Sequence, residues 1–369
     1  MEVFVISLFN RYNKKSLIKK ANKLFNQNKY LEALECYNEI LEIDPDYIDI
    51  WYNKAVVLGE LERFQDAIEA YDKTLELDSN FLNAWYNKGN ALTKIENYQD
   101  AIKSYDNALK IDSNHFSVWY NKGFALAELN KNEEALESYD QALKIDPNHV
   151  DTLYNKGITL AKLNRELEAL DSYDKALKIN PNNPRTWNNK GLTLEKLGKN
   201  QKALDSYDKA LKINPNNPRT WNNKGFTLAK LDKYSEALDC YNNALKINQH
   251  DAVTLYNKGN TLRKLNKYQE ALESYDQTLK IDPKFSYAWN NRGITLGKLG
   301  KHQEALNSFD TALKIDQKNV EAWYNKGSTL EDIGKDQEAL KCFDKALKID
   351  SEYEPALKAK KEISEGKIN

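Results

Sequence analysis

All seven tryptophans of the chain, at 51, 85, 119, 187, 221, 289 and 323, are separated by 34 residues or a multiple of it, and Leu17, Leu153 and Leu255 fill the slot where the series skips. No other feature limits the fold as strongly, because a fixed period without insertions means that one supersecondary unit is built repeatedly. Aligned on Trp85, the register predicts ten copies: 14–47, 48–81, 82–115, 116–149, 150–183, 184–217, 218–251, 252–285, 286–319 and 320–353. An extension at 1–13 precedes them, and residues 354–369, beginning EPALKAKKEISE, read as a capping helix and tail. The stretch ALDSYDKALKINPNNPRTWNNKG at 169–191 recurs letter for letter at 203–225, the mark of a chain that grows by duplicating units.

Within one copy Trp85, Gly89, Leu92 and Ile95 fall on one face of an α-helix, and Ala101, Ile102, Tyr105, Ala108 and Leu109 do the same for a second. Glu96 and Asn97 make the turn between them, where other copies hold Gly198, Gly300 or Gly334, suited to a left-handed residue that ends the first helix. Pro147, Pro181, Pro215 and Pro283 close the second helix. Each copy is therefore an antiparallel helical hairpin, and the class is all-α. A single hairpin buries too little to offset its own chain entropy, so neighbours must stack as an α-solenoid. Gly89, Gly123, Gly157 and their equivalents to Gly327 let helices approach closely, and Ala33, Ala67, Ala101 and so on to Ala339 keep a second slot small.

A basic residue interrupts the apolar stripe of every first helix: Lys20, Lys54, Lys88, Lys122, Lys156, Lys190, Lys224, Lys258, Arg292 and Lys326. Its stem could pack between hairpins while the ammonium reaches water. Alternatively it could meet an Asp of the preceding copy across the seam, as Lys122 with Asp106, in competition with Lys110 on that Asp's own helix.

The chain resembles tetratricopeptide-repeat proteins over residues 14–353. The family pattern is matched by Trp221, Gly225, Ala237, Tyr241 and Ala244, with departures at Lys224 and Leu228 that recur in every copy. The resemblance implies a right-handed superhelix whose first helices line the concave side. It also places Asn53, Asn87, Asn121, Asn155, Asn189, Asn223, Asn257, Asn291 and Asn325 in that groove. Asparagine is a poor helix former, but its amide can both donate to and accept from the backbone of another chain. With hairpins advancing by about 10 Å and an extended ligand rising about 3.3 Å per residue, one amide would meet every third ligand residue. The arrangement is similar to the asparagine ladder in the repeat domain of O-linked N-acetylglucosamine transferase. Tyr86, Tyr120, Tyr154 and Tyr256 would form groove walls, and Arg185, Arg219 and Arg263 would favour acidic ligand segments. The two-carboxylate clamp of chaperone-binding members is not expected, since its lysine slot holds Tyr or Asn here.

Composition narrows the classes. Lys plus Arg total 54 against 55 Asp plus Glu, so no long-range field selects nucleic acid or an anionic membrane. The apolar run VFVISLF at 3–9 is too short to span a bilayer and reads as a shield for the first copy. Cys36, Cys240 and Cys342 occupy equivalent slots in distant copies, so free thiols and a reducing, cytoplasmic setting are expected. His115, His149, His250 and His302 lack metal-ligand spacing, and no catalytic constellation, metal site or cofactor motif stands out. The expected function is a non-enzymatic scaffold that binds an extended, acidic segment of a protein partner. A repeat-domain subunit of an enzyme complex and a single-stranded nucleic-acid binder are the alternatives, and the pattern assigns no oligomeric state.

Overall fold

A computed structural model of the protein describes residues 2–366, with side chains from residue 14 onward. Every regular element among the described residues is an α-helix, and the chain divides into two compact units, Met1–Pro181 and Asn182–Asn369. The first unit holds α1 (Glu2–Asn26), α2 (Tyr30–Ile43), α3 (Ile48–Glu60), α4 (Phe64–Leu77), α5 (Leu82–Lys94), α6 (Tyr98–Ile111), α7 (Phe116–Glu128), α8 (Asn132–Ile145), α9 (Val150–Lys162) and α10 (Glu166–Ile179). The second holds α11 (Pro184–Lys196), α12 (Asn200–Ile213), α13 (Pro218–Lys230), α14 (Tyr234–Ile247), α15 (Ala252–Lys264), α16 (Tyr268–Ile281), α17 (Ser286–Lys298), α18 (His302–Ile315), α19 (Val320–Asp332), α20 (Asp336–Ile349) and α21 (Glu354–Ser364).

The turn inside each hairpin has one geometry. Leu129 ends α7, Asn130 takes φ 57°, and the amides of Asn130 and Lys131 donate to the carbonyls of Ala127 and Leu126 at 3.1 and 2.9 Å. This double closure satisfies carbonyls left over at the helix end. Gly198, Gly300 and Gly334 adopt the same left-handed conformation at the equivalent position, as expected, but so do Glu62 and Glu96. The return turn uses a side chain instead: the Asp146 carboxylate accepts from the Asn148 amide at 3.0 Å, and His149 Nδ1 accepts from the Thr152 amide at 3.2 Å to cap α9. His115 caps α7 in the same way, so two of the four histidines have a structural task.

Packing is set by small and flat residues. The ten alanines from Ala33 to Ala339 are wholly buried, and the second helices bury Tyr37, Tyr71, Tyr105, Tyr139, Tyr173, Tyr207, Tyr241, Tyr275, Phe309 and Phe343. A Cβ on Gly89 would stand 2.5 Å from Cε1 of Tyr105, so the glycines admit the tyrosine of their own hairpin. The tryptophans, expected on the packed face, are only half-buried. The indole of Trp221 lies along the seam, and its Nε1 donates to the Pro215 carbonyl at 2.8 Å.

Within each unit the hairpins stack in chain order, each second helix against the next first helix. Successive first helices also touch, α3 with α5, α5 with α7 and α7 with α9 in the first unit, and α11 with α13 through α17 with α19 in the second. Among the described residues, successive second helices make no comparable contact, so each unit bends with its first helices on the inside. At the end of the second unit, α21 covers Cys342, Phe343 and Ala346 of α20 with Ala356 and Ala359, and leaves Leu357 exposed, as a capping helix should. α1 runs unbroken from Glu2, while the shielding role expected of residues 3–9 lies outside the described side chains.

Candidate functional site on the first-helix face

The seam explains the lysine in the apolar stripe. Lys122 meets Asp106 at 2.6 Å, Lys224 meets Asp208 at 2.6 Å, Arg292 meets Asp276 at 2.7 Å and Lys326 meets Asp310 at 2.6 Å, with Lys88–Asp72 and Lys156–Asp140 formed alike. The pair joins one hairpin to the next. Lys110, the local competitor for Asp106, instead donates to Asn107 at 2.8 Å. Where its own helix carries a tryptophan, the seam cation also sits over that ring, Lys122 5.2 Å and Lys224 5.7 Å from the centroid, a contact the sequence reading did not anticipate.

One residue earlier stands the asparagine. All nine are half-buried. The Nδ2 groups reach back to the neighbouring first helix: Asn87 to the Tyr52 hydroxyl at 3.0 Å, Asn155 to Tyr120 at 3.3 Å, Asn223 to Asn188 at 3.2 Å, Asn257 to Asn222 at 3.0 Å and Asn325 to Asn290 at 3.0 Å. Asn121 donates to both Tyr86 and Asn90, at 3.4 and 2.8 Å, and Asn291 to both Tyr256 and Asn260, at 3.1 and 2.8 Å. Asn291 also accepts from Asn290 at 3.2 Å. The amides thus link hairpins. Where a single bond is made, it uses one of the amide's two N–H groups and leaves the carbonyl oxygen out of the link.

Asn90 and Asn260 join these chains to the core by accepting from the buried Tyr105 and Tyr275 hydroxyls at 2.9 and 2.8 Å. The sequence signal for them was an asparagine in a slot that is Phe124, Ile158 or Leu192 elsewhere. Burial raises the Tyr52 hydroxyl's pKa, and the Asn87 bond pulls it partly back. Tyr86, Tyr120 and Tyr256 are half-buried walls, stacked obliquely on Tyr105, Tyr139 and Tyr275 with centroids 6.4, 6.4 and 6.2 Å apart. Tyr154, by contrast, is 7 % exposed and offers little surface.

In the second unit the inner face opens into a hollow of about 390 Å³, lined by Phe226, Lys230, Asn257, Asn260, Arg263 and Lys264 among others. Asn291 closes one side. Arg263 carries a buried Nε without a hydrogen-bond partner, while Lys230 pairs with Glu195 at 2.6 Å. Of the expected site residues the structure brings Asn257, Asn291 and Arg263 together here. Arg185 and Arg219 sit exposed on the first turns of α11 and α13, away from this hollow.

The tetratricopeptide-repeat model matches residues 48–81, 82–115, 116–149, 150–183, 184–217, 286–319 and 320–353, and related repeat models match 216–284 and 21–62. The chain belongs to the tetratricopeptide-repeat family. No curated protein matches its sequence. Among solved structures, a tetratricopeptide-repeat protein from Parabacteroides merdae is 19% identical over 67% of this chain and 97% of its own, with a TM-score of 0.54. The Cut9–Hcn1 hetero-tetramer of APC/C is 14% identical over 98% of this chain and 88% of that one, at 0.54. YrrB, a TPR protein described as having an unusual peptide-binding site, is 26% identical over 52% of this chain and 99% of its own, at 0.45. The family match and the first two of these structures establish the repeat fold, which generally serves as a non-catalytic scaffold for protein interactions. No described helix is long and apolar enough to cross a membrane.

Proposed function

We propose that this tetratricopeptide-repeat chain holds an extended segment of a partner protein on its first-helix face, with the ten units at 14–353 as the scaffold and no catalysis of its own. The observation that carries the reading is the hollow in the second unit. There Arg263 and Lys264, neither in an ion pair among the described residues, stand beside the amide of Asn257. Asn87, Asn155, Asn223, Asn257 and Asn325 each keep a donor and an acceptor for a guest backbone after bonding within the stack. The cations beside them favour an acidic guest.

Affinity capture with the wild-type chain beside a variant carrying Ala at Asn189, Asn223 and Asn257 tests the ladder. Partners should be lost or weakened with the variant, and equal recovery overturns the role of the amides. Titrating salt against the captured complex separates the chemistries. A shallow dependence accompanies a peptide, whereas a loss of several orders of magnitude between 50 and 200 mM would point to a nucleic-acid backbone.

A further inference from the structure

On the opposite side, along the second helices, three copies depart from the tryptophan rule, at Leu17, Leu153 and Leu255, and the last two border open grooves. Where Trp323 is present, the groove between α18 and α20 holds about 390 Å³. Beside Leu153 the equivalent groove widens to about 950 Å³, and beside Leu255 to about 1170 Å³. The Leu153 hollow keeps its electrostatics closed, because Lys156 still pairs with Asp140 and Lys175 with Asp171 at 2.6 Å. At Leu255 the seam partner has changed as well: Asn242 stands where other copies carry Asp72, Asp106 or Asp208. Lys258 consequently has no carboxylate within ion-pair reach among the described residues. Lys246 and Lys280 line the same hollow against one carboxylate, Asp239.

Three groups that other copies use internally are therefore presented together. Lys88, Lys122, Lys224, Arg292 and Lys326 each lie 5.2–5.8 Å from an indole centroid and bond an aspartate, at 2.6 Å for Lys224. The indole N–H donates to the carbonyl six residues back, at 2.8 Å for Pro215 and 2.9 Å for Pro283. At Leu255 that carbonyl belongs to Gln249, which lines the hollow and accepts no bond among the described residues. An apolar floor, an unpaired ammonium and an open carbonyl thus reproduce the surroundings of a seam tryptophan and its aspartate, with both of those side chains replaced.

We propose that the hollow bounded by α14, the start of α15 and α16 receives a tryptophan side chain of a partner segment with a carboxylate directly beside it. The indole ring fills the space over Leu255 beneath Lys258, its N–H donates to the Gln249 carbonyl, and the carboxylate takes the place that Asn242 leaves uncharged. This site lies on a different face from the amide ladder and is independent of it.

Calorimetric titration of the full chain with the blocked peptide acetyl-Gly-Trp-Asp-Gly-amide tests it. One peptide should bind per chain, and replacing its Trp by Ala or its Asp by Asn should weaken binding at least tenfold. Leu255→Trp and Asn242→Asp install residues that other copies already carry, so both variants should fold, as circular dichroism would verify, and each should weaken binding at least tenfold. No heat at millimolar peptide, or unchanged affinity in the two folded variants, overturns the proposal. So does binding of indole-3-propionate without binding of the peptide, which would make the site one for a small aromatic acid. The chain with Ala at Asn189, Asn223 and Asn257 should bind the peptide normally whether or not the ladder reading survives.

Discussion

Tyr105 and Tyr207 fill the same slot on α6 and α12, yet their hydroxyls meet different surroundings. The first donates to Asn90 at 2.9 Å, whereas the second is buried without a hydrogen-bond partner. A buried hydroxyl contributes only if it is satisfied, so Tyr105→Phe should lower the unfolding free energy by about 1 kcal/mol and Tyr207→Phe should raise it by a similar amount in urea titrations. The glycines facing these rings allow an equally direct contrast. Gly191→Ala gains about 1 kcal/mol of helix propensity, but its Cβ would stand 2.5 Å from Cε1 of a ring that is wholly buried. Overpacking of that kind costs about 1–3 kcal/mol, so the variant should be less stable. At Gly297 the nearest atom to a new Cβ is Thr329 Oγ1 at 4.0 Å, and Gly297→Ala should be more stable by up to about 1 kcal/mol. Trp221→Ala, which full burial would place at about 3–5 kcal/mol, should fall near or below the lower end because the indole is only partly buried.

At the level of hairpin and seam, the turn residues carry avoidable strain. Glu96 holds φ 61° in the position where Gly198 sits at φ 71°, and a left-handed non-glycine residue is disfavoured by about 1–2 kcal/mol. Glu96→Gly should therefore raise the melting midpoint by the equivalent of about 0.5–1 kcal/mol once the extra freedom of glycine in the unfolded chain is set against it. The seam ion pair asks for a different measurement. Lys224 is 22% and Asp208 57% exposed, so a double-mutant cycle on the two should show a coupling of about 0.2–1 kcal/mol, and a coupling of zero would leave only the stem of the lysine at work. Helix pairing and turn position were legible in the sequence because Gly198, Gly300 and Pro147 punctuate a fixed period. The Asp208 partner of Lys224 was legible as one of the competing readings, and the choice among them was not, since a period fixes which face a residue occupies but leaves open how far one hairpin rotates against the next. The same rotation decides that Asn223 donates to Asn188 and that Tyr154 turns inward. The wide groove at Leu255 had a sequence signal, a missing tryptophan together with a missing aspartate, whose meaning depends on knowing that the two meet.

For the whole molecule, the burial of a tyrosine phenol in eight of the ten hairpins makes stability depend on alkaline pH in both units. Burial pushes up the hydroxyls of Tyr71, Tyr105 and Tyr139 in the first unit and of Tyr241 and Tyr275 in the second, above the ordinary value of 10.0. It also raises the Cys240 thiol from 9.0 to about 11, with Lys224 pulling the other way. Each group binds its proton more tightly when folded, so its contribution is complete below the unfolded pKa and is lost as pH climbs toward the folded one. The loss should begin near pH 9 with the thiol and steepen past pH 10, where every tyrosine of the unfolded chain can ionise while the buried ones cannot. Melting temperatures followed by circular dichroism should stay level from pH 7 to about 9 and then fall. Tyrosinate absorbance from the buried set should appear only together with loss of helix. A stack that kept its midpoint through pH 11, or one whose buried tyrosines titrated while the helices persisted, would mean that the phenols are not sealed between the helices of their hairpins. The glycine contacts that admit them would then need another explanation. Because each hairpin gains its core from its neighbours, ionising a few of these rings should weaken the units along their length instead of leaving a local defect.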